Sequence, residues 1–265
     1  MPAGPRAWLG RSLQLSRKTP PDGMYLEFPG KGRFGNEGKQ MFRKLALIAG
    51  VVTFGLGTPV VAQDISVLLG GRATASDTSA GYLSVTGAFG AQGAGGVVLR
   101  GELENTTSVF AGAETVQDAQ RLLLGYSFVS GAGNFTALAG PTRVTRSVNG
   151  GPDIISETGL YLGVEGDGFI GDRGYWAGIA QYSSPDEAFF ARAFSTYMVG
   201  GNVNIGPDFS YLNEPGFERS TLGIRTAWTF DRNVLALVAG ATRESGTLGS
   251  DESEGFVELQ FGVSF

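Results

Sequence analysis

Charged and amide side chains recur at alternate positions along several segments of this chain. Arginines stand among glutamates and aspartates, so partners of opposite sign are at hand, as enclosed charges require. The side chains that we expect to share one enclosed face are Arg100, Glu102, Glu104, Glu165, Arg192, Asn202, Asn204, Asp208, Arg225, Glu258 and Gln260. Two roles are open for such a set. It can form interior ion pairs and hydrogen bonds that fill a narrow lumen, or it can line a channel that contacts ions or glycans.

The residue types that are missing limit the chemistry further. The chain contains no Cys and no His, which excludes disulfides, thiolate metal sites, His-ligated zinc and Ser-His-Asp triads. A mechanism based on carboxylates alone stays open, and glycoside hydrolysis would need two acids roughly 5–10 Å apart at one cavity. The stretch Asp251-Glu252-Ser253-Glu254 has oxygen ligands that suit Ca²⁺ but lacks EF-hand spacing, so we interpret it as a solvated acidic loop. The sequence predicts no catalytic residue, no metal and no cofactor.

The elements that must position these side chains are β-strands. The clearest is the last segment, where the odd positions from Val257 to Phe265 are apolar and the even positions are polar or small. This two-residue period gives the strand one apolar face and one polar face. A terminal aromatic on such a strand resembles the last strand of bacterial outer-membrane barrels, where an end-of-chain Phe is recognised by the assembly machinery. Phe265 is therefore a predicted assembly signal, and the alternative is the last strand of a soluble β-sandwich.

Segments of about ten residues with the same period fill the chain from Gln63 onward. The predicted strands are 64–73, 80–90, 95–105, 119–130, 133–143, 156–166, 174–183, 187–198, 201–211, 218–230, 233–243 and 255–265. Ten strands would result if the first pair is irregular. Alternation repeated in this way predicts an all-β fold, a closed antiparallel up-and-down transmembrane β-barrel of about 12 strands. Closure is expected because a bilayer offers no water to unpaired amides.

The lengths of the predicted links favour the barrel over the sandwich. Links 106–118 and 143–155 are long, whereas 131–132 and 231–232 are short. Bacterial barrels have short periplasmic turns and longer outer loops. With Phe265 at the periplasmic rim, the long links fall on the outside.

The first 62 residues differ from the rest in charge and pattern. They hold nine basic and three acidic residues, whereas residues 63–265 hold eleven Arg, no Lys and twenty-two acids. Residues 41–62 combine a basic start, an apolar stretch and small residues at the end, which predicts a signal-peptide helix cleaved between Ala62 and Gln63. We interpret residues 1–40 as disordered, or as an extension that results from a start codon placed too far upstream. The acidic body argues against nucleic acid as a partner.

One stretch of the body carries a family resemblance. It contains Ile205-Gly206-Pro207-Asp208, Asn213-Glu214, Phe217, Arg219 and Leu222-Gly223, and upstream of it lie Leu123-Leu124-Gly125-Tyr126 and Ala139-Gly140. This order resembles the cellulose biosynthesis protein BcsS family over residues 64–265. Asp208 stands where that family leads us to expect Glu, and Pro215-Gly216 separates the acid from the aromatic. The resemblance implies a secreted outer-membrane barrel that is encoded together with bacterial cellulose synthesis.

The resemblance also implies a non-enzymatic role in the bacterial outer membrane, reached by signal-peptide-dependent export. The implied partners are outer-membrane lipid, the barrel assembly machinery, and cellulose or cellulose-secretion proteins. The implied task is to assist exopolysaccharide export or to anchor the secretion apparatus. A general small porin or adhesin-like barrel without a link to cellulose is one alternative. A barrel enzyme that acts on glycan or lipid through carboxylates is another.

A local prediction concerns the pair Gly206-Pro207. Proline cannot donate a hydrogen bond to a strand ladder, so the pair predicts a bulge or a bend. Asp208 would then turn inward and form a buried structural ion pair with Arg219 or Arg225.

Overall fold

The computed structural model describes residues 64–75, 78–91, 95–110, 113–246 and 253–265. The strands are β1 Asp64–Thr74, β2 Ser79–Ala91, β3 Gly95–Phe110, β4 Ala113–Ser130, β5 Gly133–Val148, β6 Asp153–Ile170, β7 Gly174–Ser183, β8 Ala188–Gly200, β9 Val203–Glu214, β10 Phe217–Phe230, β11 Asn233–Ser245 and β12 Ser253–Ser264. Each strand pairs antiparallel with its neighbours in the chain, and β1 also pairs with β12. The prediction of a closed antiparallel barrel of about 12 strands is confirmed, and the ten-strand and sandwich alternatives are wrong.

The two ends of the barrel differ in their connections. The terminal rim carries the start of β1 and the end of β12, where the Phe265 amide donates to the Ile65 carbonyl at 2.8 Å. Two-residue turns at 131–132, 201–202 and 231–232 join strands at this rim. The far rim carries the links 149–152, 184–187 and 215–216 and the connection from Ser245 to Ser253. The predicted turns at 131–132 and 231–232 are confirmed.

The outward face of the strands forms an apolar band around the barrel. On β4, Leu124 is 61% exposed, whereas the next residue toward the N-terminus, Leu123, is fully buried. Other outward apolar side chains are Leu122, Tyr126, Leu160, Leu162, Val164, Leu222, Ile224, Val257, Leu259 and Phe261. A soluble monomer rarely exposes so large an apolar surface. Apolar residues outside and polar residues inside are the pattern of transmembrane barrels.

Four neighbouring strands continue well beyond this band. Strands β3 to β6 have 16 to 18 residues, whereas β7 to β12 have 10 to 14. The long links predicted at 106–118 and 143–155 are therefore wrong. Pairing continues as far as Phe110 with Ala113 in the first hairpin, and close to the link 149–152 in the second. Polar residues occupy both faces of these extensions, so the alternation that marks a half-buried strand is lost in the sequence.

The bulge predicted at Gly206-Pro207 is also wrong. Gly206 pairs with Arg225, and Pro207 pairs with Ile224, in unbroken register with β10. On the other side, the ladder to β8 lacks the pairs that Gly206 and Pro207 would make. The carbonyl oxygen of Ser195 approaches Gly206 so closely that a Cβ atom there would collide with it. Pro207 has no backbone N–H group to donate, and the ladder between β8 and β9 is interrupted at this position. The strand nevertheless keeps its register with β10.

The predicted N-terminal features lie outside the described residues. They are the extension 1–40, the signal peptide 41–62 and the cleavage site at Ala62 and Gln63. The acidic stretch 251–254 is described only from Ser253 onward. In the part of the chain that the structure describes, no helix is long and apolar enough to cross a membrane.

Candidate functional site

The inward side chains surround a cavity of about 980 Å³, and its lining residues extend from near one rim to near the other. Asn134 and Tyr175 line it near the terminal rim, and Asp186 and Pro215 line it near the far rim. The predicted inward residues that line it are Arg100, Glu102, Glu104, Glu165, Arg192, Arg225 and Gln260. Two more, Asp208 and Glu258, point inward and are buried against these lining residues. The polar face of the strands is thus the lumenal face.

Five side chains form a buried network in the lumen wall, the Asp208 network of Arg192, Asp208, Arg225, Glu258 and Gln260. Arg192 donates from Nε and Nη2 to the two Asp208 carboxylate oxygens, both at 2.8 Å, which makes a bidentate pair. Its Nη1 donates to Glu258 Oε1 at 2.7 Å, so one guanidinium joins β8 to both β9 and β12. Arg225 donates to Asp208 at 3.3 Å and to Gln260 at 2.6 Å. Two cations therefore meet two anions, and the network is neutral.

The predicted ion pair of Asp208 is present with Arg225 and absent with Arg219. Asp208 lies opposite Gly223 on β10. Gly223 is two residues away from Arg225 along this strand but four residues away from Arg219. Arg219 is closer to the far rim and lies 3.7 Å from Glu244 instead. The Arg219 alternative is therefore wrong because register places that side chain at another level of the barrel. The major partner of Asp208 is Arg192 on β8, and the sequence did not predict this pair.

Aromatic rings pack against the Asp208 network. The Arg225 guanidinium carbon lies 4.1 Å from the centre of the Phe194 ring, a cation–π contact. The Tyr82 hydroxyl donates to Glu258 Oε1 at 3.3 Å. Tyr175 also faces the lumen, and the centre of its ring lies 6.1 Å from the centre of the Phe194 ring. These rings cover charges that would be costly to leave without partners in a low-dielectric interior.

A second group, the Arg121 network of Arg100, Glu102, Glu104, Arg121 and Glu165, occupies the opposite side. Arg100 makes two hydrogen bonds to Glu165, one of them 2.8 Å long from Nη1, and so joins β3 to β6. The Arg121 Nη1 atom lies 3.0 Å from Glu104 and 3.4 Å from Glu102. Sequence reasoning missed Arg121 as a lumenal residue. Its signal was its position directly before Leu122, which faces outward, because side chains alternate between the two faces of a strand.

Apolar side chains also fill part of the interior, which the alternation in the sequence did not predict. Val98, Leu123, Leu138 and Tyr161 pack together as an inner core, and each is at most 4% exposed. The Tyr161 hydroxyl donates to Gln181 Oε1 at 2.6 Å. Leu123 lies between two outward leucines, so three apolar residues in a row obscured the inward one.

Polar contacts cross the lumen at the far rim as well. Arg146 on β5 lies 3.4 Å from Glu214 on β9, which is not a neighbouring strand. Arg146 Nε also donates to Gln117 Oε1 at 3.0 Å, and Gln117 Nε2 donates to Asp186 at 3.4 Å. Side chains from four parts of the barrel therefore narrow the lumen at this end.

Two of the predicted inward residues do not line the cavity. Asn202 is exposed in the turn 201–202, where Nδ2 donates to the Thr229 carbonyl at 2.9 Å, so its predicted lumenal position is wrong. The reason is that the strand begins at Val203, two residues later than predicted. Asn204 shares the inward face of β9 with Asp208 but does not line the cavity.

The residues of the family motif are divided between the two faces. Asp208, Glu214 and Arg219 point inward, and Gly223 lies directly opposite Asp208. Ile205 is 39% exposed on the outward face. Asn213 Nδ2 donates to the exposed Glu218 at 3.1 Å, outside the lumen. The motif therefore marks a strand pair of the wall and one ionic centre, not a single continuous patch.

Most of the lumenal acids are held by arginines. Glu102, Glu104 and Glu165 each lie within ion-pair distance of Arg100 or Arg121. Among the described residues, no group of three or more His, Cys, Asp or Glu side chains is placed to hold a metal ion. Carboxylates whose oxygens are engaged by guanidinium groups suit the support of a wall better than acid and base catalysis.

Solved structures with a similar fold are outer-membrane barrels. The COG4313 outer membrane channel from Pseudomonas putida F1 has a TM-score of 0.52 and 13% identity, covering 79% of this chain and 97% of that chain. The KdgM porin in complex with disordered oligogalacturonate has a TM-score of 0.46 and 12% identity, with coverages of 76% and 99%. The translocator domain of the autotransporter NalP from Neisseria meningitidis has a TM-score of 0.44 and 12% identity, with coverages of 86% and 95%. No family model and no curated protein matches the chain.

Similarity at these identities concerns the fold alone. The Pseudomonas putida channel and this chain share the architecture of outer-membrane barrels. The comparisons add no support for the BcsS family specifically, so the link to cellulose stays a prediction.

Proposed function

We propose that this chain is a non-enzymatic outer-membrane β-barrel whose lumen forms a narrow channel for small solutes. The observation that carries the proposal is the cavity of about 980 Å³ lined from the terminal rim to the far rim. The outward apolar band supports a membrane location, because lipid accepts apolar side chains and a closed sheet leaves no unpaired edge. Ion pairs that join strands across the interior, Arg100 to Glu165 and Arg146 to Glu214, would restrict passage to small solutes.

The proposal includes an orientation and a route to the membrane. The terminal rim faces the periplasm, because short turns lie on that side in bacterial barrels. The extensions of β3 to β6 then stand above the outer surface. Signal-peptide-dependent export with cleavage after Ala62, and recognition of Phe265 by the barrel assembly machinery, complete the route.

Localisation is tested by fractionation combined with heat-modifiability. The full chain should appear in the outer-membrane fraction, and an unheated sample should migrate differently from a heated one, because a closed sheet resists detergent. N-terminal sequencing of the same band should begin at Gln63. Recovery as a soluble periplasmic protein would contradict the membrane proposal, and an N-terminus upstream of residue 41 would contradict the signal peptide.

Channel activity is tested with the folded chain in planar bilayers. We expect stepwise conductance. Glu165→Gln should increase it, because Arg100 loses the charged partner that holds it toward β6. Glu157→Gln is the matched control, since Glu157 lies on the same strand and is exposed. Folded protein without conductance would contradict the channel and favour a closed scaffold.

A second candidate function follows from the motif Ile205-Gly206-Pro207-Asp208 and its resemblance to the BcsS family. In this role the barrel would assist exopolysaccharide export or anchor cellulose-secretion proteins. A deletion strain should then secrete less cellulose, and the wild-type gene should restore it. Normal cellulose output in the deletion strain would argue against this role while leaving the channel proposal untouched.

A further inference from the structure

We infer that the lumen binds neutral linear oligosaccharides built of pyranose units. The inference rests on the channel proposed above and names the class of solute that the channel takes. Pyranose rings present flat apolar faces together with hydroxyl groups at their edges. A lumen that binds them needs an aromatic surface on one side and hydrogen-bonding groups on the other, and this barrel offers both.

The aromatic wall lies on strands β7 to β10. Its lumenal side chains are Tyr175, Ile179, Phe190, Phe194, Leu212 and Phe217. They follow one another along the lumen: Phe217 pairs with Glu214 near the far rim, Phe190 pairs with Leu212, and Tyr175 lies near the terminal rim. Aromatic and aliphatic side chains in this order give an apolar surface on which successive sugar rings can stack.

The hydroxyl wall lies on strands β1 to β4. Its lumenal side chains are Ser66, Ser84, Thr86, Thr106, Ser108 and Thr115. A hydroxyl group can both donate and accept, so it suits the hydroxyls of a sugar in either role. Arg100 lies on the same wall and donates from Nε to the Thr86 hydroxyl at 2.9 Å, which holds that hydroxyl in place.

The two walls face each other because of the closed order of the strands. In a ring of twelve, β1 lies opposite β7 and β4 lies opposite β10. A solute in the lumen therefore has the aromatic wall on one side and the hydroxyl wall on the other.

The charges of the lumen favour a neutral solute. Among the residues that the structure describes, six arginines and seven acidic side chains line the cavity, and both signs occur along its length. A passage that concentrates anions or cations would carry a clear excess of the opposite sign. The near balance leaves stacking and hydrogen bonding as the interactions that select the solute.

The inference is tested by the block of single-channel current with neutral glucose hexamers, linked β-1,4 or α-1,4. We expect concentration-dependent block, with Phe190→Ala about fivefold to tenfold weaker because a stacking surface is lost. Phe189→Ala is the matched control, since Phe189 is the outward neighbour and is 40% exposed. Phe190→Leu should also weaken the block, because it removes the ring. It keeps an apolar side chain, so a folding defect is not expected to explain the result.

The outcomes separate the inference from the channel proposal. Open channels that neither hexamer blocks would overturn the inference and leave the channel intact. Equal or stronger block by a polyuronate hexamer would overturn the neutral class, and equal block of Phe190→Ala and wild type would overturn the aromatic wall. If no current is seen, calorimetric titration of the folded barrel decides: hexamer binding would keep the inference and refute the channel, and no binding would refute both.

Discussion

The two sides of the barrel interior are filled by different means. On the side of β3 to β6, Val98, Leu123, Leu138 and Tyr161 pack as the core of a soluble protein would. On the side of β8 to β12, the Asp208 network fills the same kind of space with two arginines, two carboxylates and an amide. Apolar packing tolerates small adjustments of geometry, whereas a buried ionic network depends on every partner being present. The two sides should therefore respond differently to single substitutions.

The largest effect is expected at Asp208. Asp208→Asn leaves Arg192 and Arg225 with one carboxylate between them, and the loss of one partner from a buried pair costs about 3–5 kcal/mol. The free energy of unfolding in urea, measured with the protein in lipid micelles, should fall by this amount. Asp153→Asn is the control, because Asp153 is exposed at the start of β6. Unchanged heat resistance on semi-native gels would show that the network is not structural.

A truncation in the inner core should lower the free energy of unfolding by less than the change at Asp208. Leu123→Ala removes a fully buried side chain and should lower the free energy of unfolding by about 3 kcal/mol, within the usual range for such cavities. Leu124→Ala is the matched control, since that residue faces outward and its truncation leaves no internal cavity. Equal losses for the two variants would mean that the inner core is not packed tightly.

The smallest effect is expected at the far rim. Arg219 and Glu244 lie 3.7 Å apart in a single contact, without the bidentate geometry that joins Arg192 to Asp208. Glu244→Gln should therefore lower the free energy of unfolding by less than about 1 kcal/mol. A loss as large as that of Asp208→Asn would show that the barrel depends on ion pairs at every level, and the contrast between the levels would disappear.

The sequence predicted the strands better than the links and the individual contacts. Two-residue periodicity is a local property, so it located all twelve strands and distinguished the outward Val257 from the inward Glu258. It failed at the extensions of β3 and β4, where both faces are polar. It also failed at Asn202. The strand begins two residues later than predicted, so this side chain lies in a turn and not in the barrel wall.

The candidate site could be predicted only in part. Alternation identified which charged residues point inward, and pairing of opposite charges was a sound general expectation. It did not identify Arg192 as the main partner of Asp208 or include Arg121 among the inward residues. Nor did it reveal the inner core, because Leu123 has apolar neighbours on both sides in the chain.

The sequence by itself determined the class of fold and the direction in which most side chains point, because alternation along a strand depends only on neighbouring residues. The tertiary structure decided which inward groups meet. Contacts such as Arg192 with Glu258 or Arg100 with Glu165 join strands that are several positions apart around the barrel. Their heights depend on the register of every intervening pair and on the closure of β1 with β12, and no local pattern encodes that accumulated shift.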